Sequence, residues 1–290
     1  MVYRKSFFYV FLIIVAAFLM KIHYLANDGF KIHKVLYHHH FVSDWDVSYS
    51  KKEKQTALNI LGQPFKYLGK GRQSYVFVSD DDKYVLKLIR YHKCQMPFFT
   101  SFLDYFHFST LSYRKMIEDK KERIKRGMTS YKIAYENLKD ITLVEFVHLN
   151  PTNDLKKTVI IKDKKSKKYF IDLDNVAFII QKKAIPLKDS ILKEKNNLEN
   201  LKQILISYVS VGKQCLEKKV FNRDLDNLIR NAGCYNNRVI HVDIGSFYTL
   251  NNPSEEDLMQ DFNNYIIPMH KLLKSNIPEA IPFFDELISL

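Results

Sequence analysis

The sequence predicts an α+β fold, as one large domain or two lobes, set behind an N-terminal hydrophobic helix. Three observations carry this. Residues 65–89 hold three short strand-like runs separated by tight polar turns. Residues 198–218 repeat apolar side chains at helical spacing through Leu198, Leu201, Ile204, Leu205, Tyr208, Val211 and Leu216. A chain of 290 residues with 46% hydrophobic and 14% aromatic residues can fill one large core or two lobes and is not globally disordered.

Taken in order, residues 7–20 (FFYVFLIIVAAFLM) are uncharged, with Arg4 and Lys5 before them and Lys21 after. Fourteen residues fall short of the roughly 20 needed to span a bilayer. Ile22, Tyr24, Leu25 and Ala26 can extend the run if Lys21 snorkels. Residues 1–26 are therefore expected to form an uncleaved signal anchor. The alternative is a cleaved signal peptide, against which Tyr24 in Tyr24-Leu25-Ala26 is bulky where a small residue is preferred. Residues 27–62 read as a connector. Its His33 and His38-His39-His40 include adjacent side chains that rarely share one metal, so a membrane-proximal polar segment is expected. A weak helical pattern runs over 50–61.

Strands are expected at 65–68, 75–78 and 84–89, with a glycine-containing turn at 69–74 and an acidic turn at 79–82. Lys87 is the only charged residue between Tyr84 and Ile89, and a lysine in an apolar strand costs desolvation unless an anion meets it. An aromatic-rich stretch covers 98–108. A very basic helix follows over 111–126; Gly127 is expected to end it, and Thr129 or Ser130 to cap a second helix over 131–139. Strands are expected at 141–149 and 176–181, with a hairpin between them at 158–161 and 169–173. The long amphipathic helix then delivers the chain to 219–247, KVFNRDLDNLIRNAGCYNNRVIHVDIGSF, where two short strands flank Asn236-Asn237. A helix over 255–273 and a tail with Pro278 and Pro282 close the sequence.

Forty-five basic against 32 acidic residues give a formal charge of +13, pointing to anionic partners such as nucleotide or acidic lipid. With eight glycines and no interleaved Arg–Gly–aromatic blocks, no nucleic acid is expected. Cys94, Cys215 and Cys234 are far apart, odd in number and not in C-x-x-C pairs, so no disulfide framework or zinc site is indicated.

Four short segments carry the chemistry. Gly69–Val76 is GKGRQSYV, Lys87 lies in Val85-Leu86-Lys87, Asp226 precedes Asn231 by five residues, and Asp243 opens Asp243-Ile244-Gly245. Glycines let a backbone approach phosphates, and Asp and Asn side chains offer hard oxygens to Mg²⁺. In this order the segments resemble the protein-kinase-like superfamily. The whole resembles bacterial membrane-anchored kinase-like proteins. The resemblance implies a two-lobed kinase-like fold with an N-lobe over 63–181 and a C-lobe over 182–290. That C-lobe is shortened, since 45 residues follow Gly245.

It also implies ATP and Mg²⁺ as cofactors, with Gly69, Gly71, Ser74 and Lys87 at the nucleotide. Glu136, or Glu122, is the implied ion-pair partner of Lys87, and Asn231 and Asp243 are the implied metal ligands. Ser74 stands where the family has its third glycine. Two registers compete for the acceptor-orienting carboxylate. The five-residue spacing to Asn231 favours Asp226, whereas Asn222-Arg223-Asp224-Leu225 places Asp224 in the H-R-D-L frame with Asn for His. The implied activity is phosphoryl transfer to a hydroxyl of a small molecule, sugar or lipid headgroup. The implied location is a single-pass membrane protein with its domain facing the cytoplasm, or an exported one if the N-terminus is cleaved. A binding module that keeps the fold without turnover, and a basic membrane-surface scaffold, are the rival readings.

Overall fold

The computed structural model describes residues 28–37, 40–91 and 111–289, with single positions between 11 and 22. Most of the expected anchor, the histidines at 38 and 39, and the aromatic stretch at 98–108 lie outside the described residues. Among those described, no helix is long and apolar enough to cross a membrane.

The fold is α+β. Seven strands, β1 (Phe65–Lys70), β2 (Ser74–Ser79), β3 (Tyr84–Ile89), β4 (Val144–His148), β5 (Thr158–Lys162), β6 (Lys168–Asp172) and β7 (Phe178–Lys182), form one sheet. Their order is β4-β7-β3-β2-β1-β5-β6. All neighbours are antiparallel except β1 and β5, which run parallel. The β5–β6 hairpin thus extends the sheet beyond β1. β3 lies between β2 and β7, and Lys87 pairs with Val76 on one side and Ile179 on the other.

Alternation along β3 decides what Lys87 faces. Leu86 and Leu88 point into a core with Phe65, Phe77, Phe146 and Phe178. That core is closed by Phe30 and Val35, and by Ala57 and Ile60 of α1 (Lys51–Ile60). Phe30 meets Tyr75, Phe77 and Tyr169 edge to face, so much of the expected polar connector packs as core. Ser50 and Glu53 start α1 with a reciprocal capping box. Lys87 and Ile89 point to the opposite face of the sheet.

That opposite face is covered by α2 (Leu111–Asn137), a single helix where two were expected. Gly127 is not a breaker. It lies buried inside the helix, where an added Cβ would come within 2.8 Å of Gln73 Oε1 and would displace the end of that side chain. Thr129 donates back to the Lys125 carbonyl, and Ser130 faces the core; neither caps a helix. The one-turn helix α3 (Lys139–Thr142) then leads through Leu143, at φ 50°, into β4.

The second half is mainly helical: β8 (Ile185–Pro186), α4 (Leu187–Lys193), α5 (Leu198–Glu217), β9 (Val220–Asn222), α6 (Leu228–Asn231), β10 (Ala232–Tyr235), β11 (Arg238–His241), β12 (Phe247–Thr249), α7 (Glu255–Asn276) and α8 (Ile281–Ser289). The expected helix over 198–218 is α5. Tyr208 and Tyr265 tie α5 to α7 by donating each hydroxyl to the other's backbone carbonyl. β10 and β11 form the expected hairpin, with Asn236 and Asn237 both at positive φ. β9 pairs with β12, bringing residues 220–222 beside 247–249 and clamping the polar segment between them.

Candidate functional site

Between the sheet and the helical half lies a cavity of about 490 Å³. The turn after β1 supplies Gly71, Gln73 and Ser74, and β2 and β3 supply Val76, Val85 and Lys87. Tyr131 of α2 and, from the other half, Asn231, Asp243 and Ile244 complete its polar end. Leu68, Ala184 and Pro186 add to its apolar end.

Lys87 is only 8% exposed. Its Nζ donates to Gln181 Oε1 at 2.6 Å and to the Val242 carbonyl at 2.5 Å. Burial pushes its pKa down to about 8, and the charge of Asp243 works against that shift. No carboxylate stands within ion-pair distance of it among the described residues. The expected partners fail for a geometric reason. Glu136 lies five positions past Tyr131, roughly 140° round the helix at about 100° per residue, and pairs with Lys132 at 4.0 Å. Glu122 is exposed on the outer face of the same unbroken helix. α2 presents Tyr131 to the cavity instead.

Gln181 is the residue that sequence reasoning missed here. Its amide is fully buried, and Nε2 donates to the carbonyls of Thr142 at 2.6 Å and His241 at 2.8 Å. That fixes the Oε1 facing Lys87 and bolts β7 to the strand leading into Asp243. The only hint in the sequence was one amide inside the apolar run at 176–181.

Asn231 ends α6, and its carbonyl accepts the backbone N–H groups of Val242 at 2.7 Å and Asp243 at 3.0 Å. Its Nδ2 donates to Asp224 Oδ2 at 2.9 Å, leaving Oδ1 without a hydrogen bond. Asp243 accepts the N–H of Gly245 on Oδ1 at 3.1 Å, leaving Oδ2 without one. Two hard oxygens on one wall suit a divalent cation such as Mg²⁺.

Asp224 holds the loop together. Its two oxygens accept from Asn227 at 2.7 Å and Asn231 at 2.9 Å. Asn231 lines the cavity, whereas Asn227 lines a second cleft on the other side. Asp226 is exposed and lines that second cleft only. Gly69 sits outside both, at an irregularity in the β1–β2 pairing.

The glycine turn is tied down from both ends. Arg90 donates to the Gly71 carbonyl at 2.9 Å and, through its backbone N–H, to that of Gln73 at 2.8 Å. Tyr131 donates its hydroxyl to Gln73 Oε1 at 2.5 Å. The same oxygen lies 2.7 Å from where a Cβ on Gly245 would be. Gln73 therefore reaches from the turn to the Asp243-Ile244-Gly245 segment.

Ser130 anchors that segment to α2. Its hydroxyl donates to the Ile244 carbonyl at 2.6 Å and accepts the Phe247 N–H at 2.6 Å. Ser130→Ala leaves two buried backbone groups unpaired and should cost about 1–3 kcal/mol. Denaturant unfolding measures this, and an unchanged midpoint would show that water replaces the hydroxyl.

No protein-family model matches this chain, and no curated protein matches it. Solved structures do. One is WbdD, with a TM-score of 0.36 and 13% sequence identity. The match covers 70% of this chain and 37% of WbdD, so the chain spans little more than a third of that protein's length. A likeness of that size leaves function to be read from the site itself.

Proposed function

We propose that this protein is a kinase-like phosphotransferase that moves phosphate from Mg-ATP to a hydroxyl acceptor. The observation that carries this reading is Lys87: a buried ammonium with neutral partners, facing a cavity under a glycine turn. A buried cation with no carboxylate in direct contact is costly, and a phosphate would relieve that cost. The apolar end of the cavity would take the base. The turn at Gly71 and Ser74 would lie along the phosphates, while Asn231 Oδ1 and Asp243 Oδ2 would hold Mg²⁺. Held by these two oxygens, the metal would supply positive charge to the phosphates. Asp224, bonded to one wall of each cavity, would orient the acceptor hydroxyl. The test is Mg²⁺-dependent binding of ATP by calorimetry, followed by transfer of labelled γ-phosphate to hydroxyl compounds. Absence of any ATP heat or thermal shift at millimolar Mg-ATP would reduce the protein to a basic scaffold.

One observation favours a second reading, a nucleotide-binding module without turnover: Lys87 lacks the carboxylate that would hold it during transfer. Binding of Mg-ATP with no transfer to any acceptor would select it. The N-terminal segment is proposed to anchor the domain on the cytoplasmic side, where ATP is available. Cys215 and Cys234 are buried, so protease protection in sealed membranes is the better probe of orientation.

Nucleotide affinity should depend on pH through Lys87. Below about 8 the ammonium is charged and binds phosphate; as pH rises past that value the free protein loses the proton. Affinity should then fall by up to tenfold per pH unit until the pKa of the nucleotide complex is passed. Lys87→Arg, which stays charged, should flatten the profile. For the unliganded fold the sign is opposite. The folded pKa lies below the ordinary 10.5, so stability should rise with pH between about 8 and 10.5.

A further inference from the structure

The second cleft, about 690 Å³, opens beside Asp226 and is lined by Lys188, Arg223, Arg230 and Lys271, with Asp226 as its only acid. None of these four cations forms an ion pair with a carboxylate among the described residues. Two are held in place. Arg223 stacks on Tyr248 at 4.1 Å and donates to the Phe247 carbonyl at 3.3 Å. Arg230 donates to Asn227 Oδ1 and also lines the Lys87 cavity, so one guanidinium reaches both spaces.

We infer that this cleft binds a hydroxyl compound that already carries a phosphate group, and that it is the acceptor side of the transfer proposed above, a role that rests on that reading. Four cations converging around one carboxylate repel each other and remain unneutralised. A phosphate dianion balances most of that excess. Arginine forks match its oxygens in pairs, and the lysines add point charge. The volume falls within the range of roughly 300–1,000 Å³ typical of small-ligand sites. Ile267 and Leu272 line the same cleft and offer apolar contact to a carbon skeleton. Asn227, which lines the cleft and donates to Asp224, would meet the hydroxyl.

The phosphate could belong to a soluble sugar or to a lipid headgroup, and the test separates the two. The full chain is titrated with glucose 6-phosphate, glycerol 1-phosphate, glucose and glycerol, and by flotation with vesicles of phosphatidylcholine alone or with phosphatidylglycerol. All titrations are done without nucleotide. The phosphorylated compounds, or the phosphatidylglycerol vesicles, should bind at least tenfold better than their neutral counterparts, and more weakly as salt rises. The exposed-lysine variant Lys188→Glu with Lys271→Glu should remove that preference while its Mg-ATP titration stays unchanged. Binding of sugar phosphates alone assigns a soluble acceptor; binding of the charged vesicles alone assigns a lipid headgroup. If phosphorylated and neutral compounds bind alike, or the double variant keeps the preference, the inference is overturned. Mg-ATP binding, measured separately, decides whether the transfer reading survives on its own.

Discussion

Lys87→Met should weaken Mg-ATP binding by about ten- to a hundredfold and leave adenosine binding nearly untouched. The side chain is an ammonium held on a rigid strand between Val76 and Ile179, with Gln181 and the Val242 carbonyl fixing its direction. Hydrogen bonds to charged groups contribute about 1.5–3 kcal/mol, and about 1.4 kcal/mol is a factor of ten. Adenosine lacks phosphates and feels none of this. Methionine matches the length of the lysine stem and removes a desolvated charge. The fold should therefore survive, although Gln181 Oε1 loses its donor. Asp243→Ala is the companion experiment: it should remove the Mg²⁺-dependent part of the affinity and spare the adenosine part. Calorimetry with and without Mg²⁺ reads both. If ATP binds wild type and both variants equally, the nucleotide lies elsewhere and the assignment of this cavity is wrong.

Local pattern made much of this architecture legible in the sequence. The runs at 65–68, 75–78 and 84–89 became β1, β2 and β3 because tight polar turns separate short apolar segments. The amphipathic period over 198–218 became α5, and Asn236-Asn237 became the positive-φ turn it suggested. Gly127 was misleading because glycine carries two signals, helix termination and close approach, and tertiary packing alone selects between them. Sequence reading took the first, while in the fold the glycine packs against the end of the Gln73 side chain. That unbroken helix is also why Glu136 and Glu122 face away from Lys87. The connector was underestimated because single apolar residues such as Phe30, Val35 and Trp45 have no period to announce burial.

Several residues that line the cavity were singled out in the sequence, and their supports were not. Lys87, Asn231, Asp243, Gly71 and Ser74 line one cavity, to which four separate stretches of the chain contribute them. Gln181, Tyr131, Ser130 and Gln73 were not visible, because each acts through a tertiary hydrogen bond that no local motif encodes. The four cations of the second cleft are spread over positions 188–271, so only the fold shows that they converge.

The choice between Asp224 and Asp226 is where sequence spacing and geometry part. A five-residue interval to Asn231 favours Asp226, but that rule assumes a loop of fixed length. Here a turn at Leu225–Asn227 and the one-turn helix α6 fill the interval. Asn231 is brought back to Asp224, which also bonds Asn227. A carboxylate that orients an acceptor must stand within hydrogen-bond reach of the hydroxyl and beside the phosphate. Asp224 lines neither cavity but bonds one residue of each, while Asp226 lines the second cleft alone.

Asp224→Asn should therefore lower transfer by about 10²–10⁴-fold, the usual contribution of a positioned acid or base. Asp226→Asn should change mainly the apparent affinity for the acceptor, and for an anionic acceptor it should improve it, because a negative charge leaves a basic cleft. Steady-state kcat and KM separate the two effects. Mg-ATP titration of the Asp224→Asn protein checks that Asn231 has not moved, since loss of metal-dependent binding would mean that Asp224 acts only by holding the loop. A large fall in kcat for Asp226→Asn with little change for Asp224→Asn would return the role to Asp226 and show that the loop rearranges when substrates bind.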